Sequence, residues 1–357
     1  MAADHPDPWI VAMAGPCAQD VARVGPKLAR LAELGRAGFQ VPTGYAVTVD
    51  AYREFVRETG LERAIAADLA GIDDGGDPEA FEAVASRIRA RFASQPLPAA
   101  MRARFEQAYD ALCFEVREVD KPVAVRSSAV GEDAADHSFA GQYETYLGVS
   151  GVEAVNDCIR LAWSSLFSAR AIGYRVRSGL GHDAMPMAVG VLELVRARAA
   201  GVAFSVHPLT GRRDRVVVEG SWGYGEAVVG GLVVPDHAEL DKDGLGLLEY
   251  RTADKTVVSV MDYRHGAVVE RPMPAAFARA RVLDDDELVA IARSAVAVEA
   301  HYGHPVDVEW VLQRGRREGD TIVLVQARPV TAAGQGFVDP PRWDPVRYAL
   351  RYGARLP

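Results

Sequence analysis

From Gly25 to Leu34 the chain reads GPKLARLAEL, and Leu28, Leu31, Ala32 and Leu34 return to one side at helical spacing. Pro26 suits the first turn of that helix, where its missing N–H has no intrahelical partner to lose. Trp9–Ala14 reads as a leader or a short first strand, and Val41–Thr48 as a turn into a strand. Asp50 is placed to cap a helix over AYREFVRETG that stops at Gly60. Residues 61–118 keep a helical pattern, broken at Gly71–Pro78 and Pro96–Pro98. At Val123 the pattern changes to an apolar run, Val123-Ala124-Val125, suited to a buried strand. A helix over about 151–178 follows, with Trp163, Leu166 and Phe167 spaced for a core.

The second half alternates on a shorter period. Met187–Ala197, Gly201–Val206, Arg215–Glu219, Leu232–Val234, Glu249–Arg251, Thr256–Met261, Val306–Gln313 and Thr321–Gln326 read as short strands, with a helix at Asp284–Tyr302. Strands in series with helices laid on them give an α+β class with an antiparallel sheet. At 357 residues the chain exceeds what one core usually organises. A polar, glycine-bearing link at Gly179–Pro186 marks the division. The expected organisation is an N-terminal lobe at 1–185, a C-terminal lobe at 186–333 and an arm at 334–357 with four prolines.

Composition narrows the function. Hydrophobic residues make up 49% and charged residues 25%, as in globular proteins. A net charge of −9 without a basic block speaks against nucleic-acid binding. No apolar run reaches the ~18 residues of a membrane span, and the acidic, proline-bearing MAADHPDPW is unlike a signal peptide. Cys17, Cys113 and Cys158 are scattered, with no CxxC spacing, which suits a reducing, cytoplasmic setting.

The most informative segment is 123–149, VAVRSSAVGEDAADHSFAGQYETYLGV. A buried strand delivers Arg126, Ser127 and Ser128 at its end, then come Glu132-Asp133 and a small-residue loop, Ser138–Gln142. A guanidinium offers a fixed fork of donors to phosphate, and a glycine lets backbone N–H groups approach it. The bland reading of Arg126 is a structural ion pair with Glu132 or Asp133, and the serines fit local turn caps equally well.

Four linked pieces, VRSSA, ED, SFAGQ and ETYL, resemble the ATP-binding domain of the phosphoenolpyruvate synthase, pyruvate phosphate dikinase and rifampicin phosphotransferase family. Further pieces agree along residues 10–333: Gly25–Leu34 is similar to GGKGANLAEL, and Val41–Tyr45 to VPPGF. Ala200–Gly211 is similar to AGVLFTVDPVTG, Glu219–Val229 to EASWGLGEAVV, Asp307–Trp310 to DIEW and Val325–Thr331 to LQSRPVT, and Pro235–His237 matches PDH. The resemblance implies an ATP-grasp-like pair of lobes with ATP and Mg²⁺ between them. It assigns Lys27, Arg126 and Arg328 to the phosphates, with Gly141 and Thr145 beside the triphosphate. Glu309 and Gln326 are assigned to Mg²⁺, whose preference for hard oxygen ligands they suit. A cross-strand Glu–Arg pair is the bland reading of Glu309 and Arg328.

The sequence departs from the family at three places. Leu192 stands where the family has a glutamine near the adenine, so base recognition falls more on backbone groups. Pro26 replaces a loop glycine. His207 replaces the aspartate of DPVTG. Family enzymes also carry a histidine in a TxGGxxSHAA-like motif and an acceptor-binding domain, and none of the eight histidines here lies in such a motif. The chain therefore resembles the nucleotide part of a split enzyme, similar to the ATP-binding subunit of phenylphosphate synthase. That implies a phosphohistidine-domain partner subunit and a small acceptor, phenol or a related aromatic, held mainly by the partner. The rival expectations are a self-contained ADP-forming kinase and a non-catalytic ATP-binding regulatory subunit.

Overall fold

The computed structural model describes residues 7–72, 78–130, 144–181, 185–315 and 320–330. It has the α+β class expected, in two compact units: 1–33 with 43–194, and 34–42 with 195–357. No helix among the described residues is long and apolar enough to cross a membrane.

The first unit holds an antiparallel sheet of β1 (Ile10–Ala12), β2 (Gly44–Val47), β3 (Val123–Ala129), β4 (Thr145–Val149) and β5 (Met187–Glu193), in the order β1-β2-β5-β3-β4. Its helices are α1 (Val21–Arg36), α2 (Val49–Glu58), α3 (Leu61–Leu69), α4 (Pro78–Ser94), α5 (Ala99–Glu115), α6 (Val152–Ser164) and α7 (Ala169–Arg177), α1 ending in the second unit. Strand side chains alternate between faces. Val123, Val125, Val189 and Val191 therefore join the core built on Phe55, Phe92, Phe105 and Trp163, while Ala124, Arg126 and Ser128 take the opposite face. The Phe55 and Trp163 ring centroids lie 5.1 Å apart.

Local hydrogen bonds correct three expectations here. Thr48, not Asp50, caps α2: its backbone is extended and its hydroxyl accepts the Ala51 N–H at 3.2 Å. The single helix over 151–178 is two helices, because a 3-10 turn at Ser165–Phe167 ends at Ser168, whose extended backbone and hydroxyl start α7. The apolar run from Met187 is not one strand opening the second half. It stops at Glu193 between β2 and β3, and the first unit continues to Leu194, beyond the division read at 185/186.

The second unit contains β6 (Ala197–Phe204), β7 (Arg215–Trp222), α8 (Glu226–Val229), β8 (Asp236–Asp241) and β9 (Leu247–Arg251). It continues through β10 (Val257–Asp262), β11 (Ala267–Pro272), α9 (Ala275–Ala278), α10 (Asp285–Tyr302), β12 (Val306–Gln313) and β13 (Val323–Pro329). Six strands form one antiparallel sheet, β13-β12-β6-β7-β8-β9, and β10 and β11 form a separate hairpin. α10 starts in a capping box between Asp284 and Glu287. It packs Leu288, Ile291, Ala292, Ala295 and Val298 against Ala203, Val218, Ala238 and Val308. Leu34, at the end of α1, is fully buried in this second core, and Phe39 and Val41 pack on it.

A buried carboxylate fastens the margin of this sheet. Asp236 and Lys255 are almost fully buried and pair at 2.5 Å. Asp236 also accepts the Tyr250 hydroxyl at 2.6 Å and the N–H groups of Ala253 and Val282, each at 2.9 Å. Asp236→Ala leaves a buried ammonium without its anion, so we expect a loss of about 3–5 kcal/mol of unfolding free energy in urea. The double variant Asp236→Asn, Lys255→Met should lose less than Asp236→Ala alone.

Candidate functional site

Each unit bears residues expected to bind nucleotide on one face of its sheet. In the first unit, Arg126 sits on β3 with exposed Thr145 as its cross-strand partner on β4 and Gly190 on the other side. α1 lies on this face. Gly190 lets Leu28 approach, since a Cβ there would meet Leu28 Cδ2 at 2.5 Å. α1 is kinked at Gly25 (φ 73°, ψ 164°), a left-handed backbone setting that favours glycine. A Cβ at Gly25 would lie 2.3 Å from the Ser128 carbonyl oxygen. Beyond the kink Pro26 opens the helical run, and the Leu28 N–H reaches the Ser128 hydroxyl at 3.5 Å. The sequence GPK thus sets a fresh helix start, with half-buried Lys27 in its first turn, against the strand that carries Arg126. The positive end of a helix and two cations suit an anion.

Gly141, with the rest of 131–143, lies outside the described residues. Leu192 is buried, beside Ala124 on β3 and Gly44 on β2. A cleft of about 850 Å³ between β1 and α5, lined by Trp9, Arg23 and Arg104 among others, contains none of the residues expected to hold nucleotide.

In the second unit β12 and β13 run antiparallel, with Glu309 opposite Gln326 and Asp307 opposite Arg328. The Gln326 side-chain amide donates to Glu309 Oε1 at 2.9 Å. One carboxylate and one amide carbonyl make a hard-oxygen donor set, and Mg²⁺ commonly takes one or two protein oxygens and fills the rest with water and phosphate. The pair fits that ion. Among the described residues no group of three His, Cys, Asp or Glu side chains is arranged to hold a metal.

Cross-strand register extends this face. Directly opposed residues share a side of the sheet. The row through Glu309 runs Gln326, Glu309, Val202, Glu219, His237. The next runs Arg328, Asp307, Phe204, Val217, Glu239. Glu219, His237 and Glu239 are thus functional candidates to which the sequence motifs assigned no role. The signal that reveals them is the alternation in DHAELD, where Ala238 and Leu240 enter the core and His237 and Glu239 face away. His237 Nδ1 lies 3.3 Å from Glu219 Oε1. Burial pushes the Glu239 carboxyl up, but the Arg215 hydrogen bond at 2.7 Å and the neighbouring His207 outweigh it and hold it below the usual range.

Comparison with known proteins agrees with these motifs. The model of the pyruvate phosphate dikinase AMP/ATP-binding domain matches residues 21–343. A probable phosphoenolpyruvate synthase of Methanothermobacter thermautotrophicus is 39% identical over 316 residues, covering 88% of this chain and 45% of that protein. The phosphoenolpyruvate synthase of Aeropyrum pernix is 38% identical over 337 residues, 86% of this chain and 40% of its own. That of Deinococcus radiodurans is 39% identical over 323 residues, with 87% and 40% covered. The chain spans less than half the length of each of these relatives.

The kink at Gly25 is the feature of the first unit most exposed to test. Gly25→Ala must strain a left-handed residue and push the helix start off Ser128, so we expect a stability loss of at least about 1–2 kcal/mol in denaturant titration. Ala29→Gly, farther along the same helix, is the control for a simple propensity effect of about 1 kcal/mol.

Proposed function

The chain belongs to the pyruvate phosphate dikinase AMP/ATP-binding domain family, and on that premise we propose that it is the ATP-binding part of a dikinase-type phosphotransferase with an ATP-grasp-like fold. In this reading it passes the β,γ-pyrophosphoryl group of ATP to a histidine on a partner subunit. The observation that carries the reading is the Glu309–Gln326 contact with Arg328 on the same face, since that face gathers oxygen donors and a guanidinium as a metal–triphosphate complex requires. The helix start at Lys27, set against Ser128 of the strand that carries Arg126, supports it within the first unit.

Lys27, Arg126 and Arg328 neutralise the triphosphate, and Thr145 offers it a hydroxyl. Glu309 and Gln326 would hold Mg²⁺, which would offset charge on the phosphate oxygens. The chain's own contribution is positioning and charge stabilisation rather than covalent chemistry. The partner's histidine nitrogen attacks the β-phosphorus, the bond to the α-phosphate oxygen breaks, and AMP leaves. Water then releases Pi from the pyrophosphoryl-histidine, and the remaining phosphoryl group goes to a small acceptor on the partner, phenol or a related aromatic being the first to try.

Nucleotide products decide the matter. The purified chain with Mg-ATP should give AMP only when a phosphohistidine-domain protein is added; ADP from the chain alone would overturn the reading. Arg126→Ala and Glu309→Gln should each reduce AMP formation by about 10²–10³-fold, as for loss of one preorganised charge contact. Their urea unfolding curves should match the parent's.

A further inference from the structure

The turn after β6, residues 207–211, closes on a histidine ring to which the nucleotide-binding reading gives no role. The N–H groups of Leu209 and Thr210 both point at His207 Nδ1, at 3.2 and 3.3 Å. Two donors on one ring nitrogen require a lone pair there, so the proton of the neutral ring sits on Nε2. Nδ1 therefore does what an aspartate or asparagine oxygen does at the head of such a turn. The Nε2–H side lies 3.6 Å from Glu239 Oε1.

The charged surroundings close the cluster. Glu239 is held by Arg215 at 2.7 Å, with His237 Nε2 at 3.7 Å and Arg251 at 4.0 Å. His237 is backed by Glu219. Just past the turn Arg212 pairs with Asp214. His207, Glu219 and Glu239 are each less than a tenth exposed. Glu239 shares its row with Arg328, and His237 shares its row with Glu309 and Gln326.

We propose that neutral His207 is a positioning residue that ties the 207–211 turn to itself and, through Glu239, fixes His237 and Arg215 on the face bearing Glu309, Gln326 and Arg328, so that protonating His207 weakens nucleotide binding. The second half of this statement rests on the nucleotide-binding reading above. A proton on Nδ1 would face two N–H donors, so the turn loses both hydrogen bonds. Burial lowers the basicity of His207, and Glu239 only partly opposes it. A lowered histidine pKa means that the ordered turn is fully present above the ordinary histidine range and is lost as pH falls through the depressed value.

The test pairs two readouts on the full chain. Histidine ¹⁵N NMR from about pH 8 to about pH 5.5, across the ordinary histidine range, should show His207 with an unprotonated Nδ1 and a midpoint below that of an exposed histidine. Calorimetric Mg-ATP affinity over the same range should fall several-fold more in the parent than in His207→Asn, whose amide oxygen can accept both N–H groups and cannot titrate. A one-proton step allows at most ~10-fold per pH unit, and titration of ATP itself is common to both proteins and cancels. An Nδ1–H tautomer, an ordinary midpoint, or identical affinity profiles would each overturn the proposal. If neither protein binds Mg-ATP at any pH, the functional reading fails and so does the affinity half of this one, while the NMR arm still decides whether the turn is held by a neutral ring.

Discussion

One carboxylate, that of Asp236, gathers a phenol, an ammonium and two backbone N–H groups from separate stretches of chain. The donors come from separate segments: β9 through Tyr250, the loop to β10 through Ala253 and Lys255, and the approach to α10 through Val282. A buried carboxylate is costly unless its acceptor sites are filled, so these segments must come together or none of them does. Because Asp236 begins β8, the same knot fixes where His237 and Glu239 fall one and three residues later. A buried structural carboxylate on one side of the sheet and a polar row on the other are set by neighbouring residues of a single strand.

The two-residue period of the strands divides the labour. In β7, β8 and β12, Val218, Ala238 and Val308 enter the core under α10, while Glu219, His237 and Glu309 face away. Slipping any of these strands by one residue would turn the polar set into the core under α10 and the apolar set out of it. Apolar burial thus holds the polar row in register.

Much of this was legible in the sequence. β3 was located from its apolar run, β12 and β13 from their alternation, and α10 from its helical pattern. The family was legible from linked motifs, and the comparisons agree. Leu232–Val234 looked like a strand but is not one: the Leu232 and Val233 N–H groups close back on Ala227 and finish the α8 turn. β8 went unseen because DHAELD offers only two apolar side chains. The tautomer of His207 could not be read either, since it depends on where two backbone N–H groups point.

The chain passes between its units after Glu33, Pro42 and Leu194. The stretch 34–42 is a loan from the front of the chain: Leu34 fills the second core and the Gln40 carbonyl accepts the Leu324 N–H at 2.8 Å. No single cut in the polypeptide therefore yields two self-sufficient halves. Severed at Leu194, the front piece would keep Leu34, Phe39 and Val41 with nothing of their own core to cover them, and the rear piece would lack them. In synthesis from the N-terminus, the 34–42 segment must wait for more than 150 residues of later chain before its site exists, which makes completion of the second core a late and long-range event in folding.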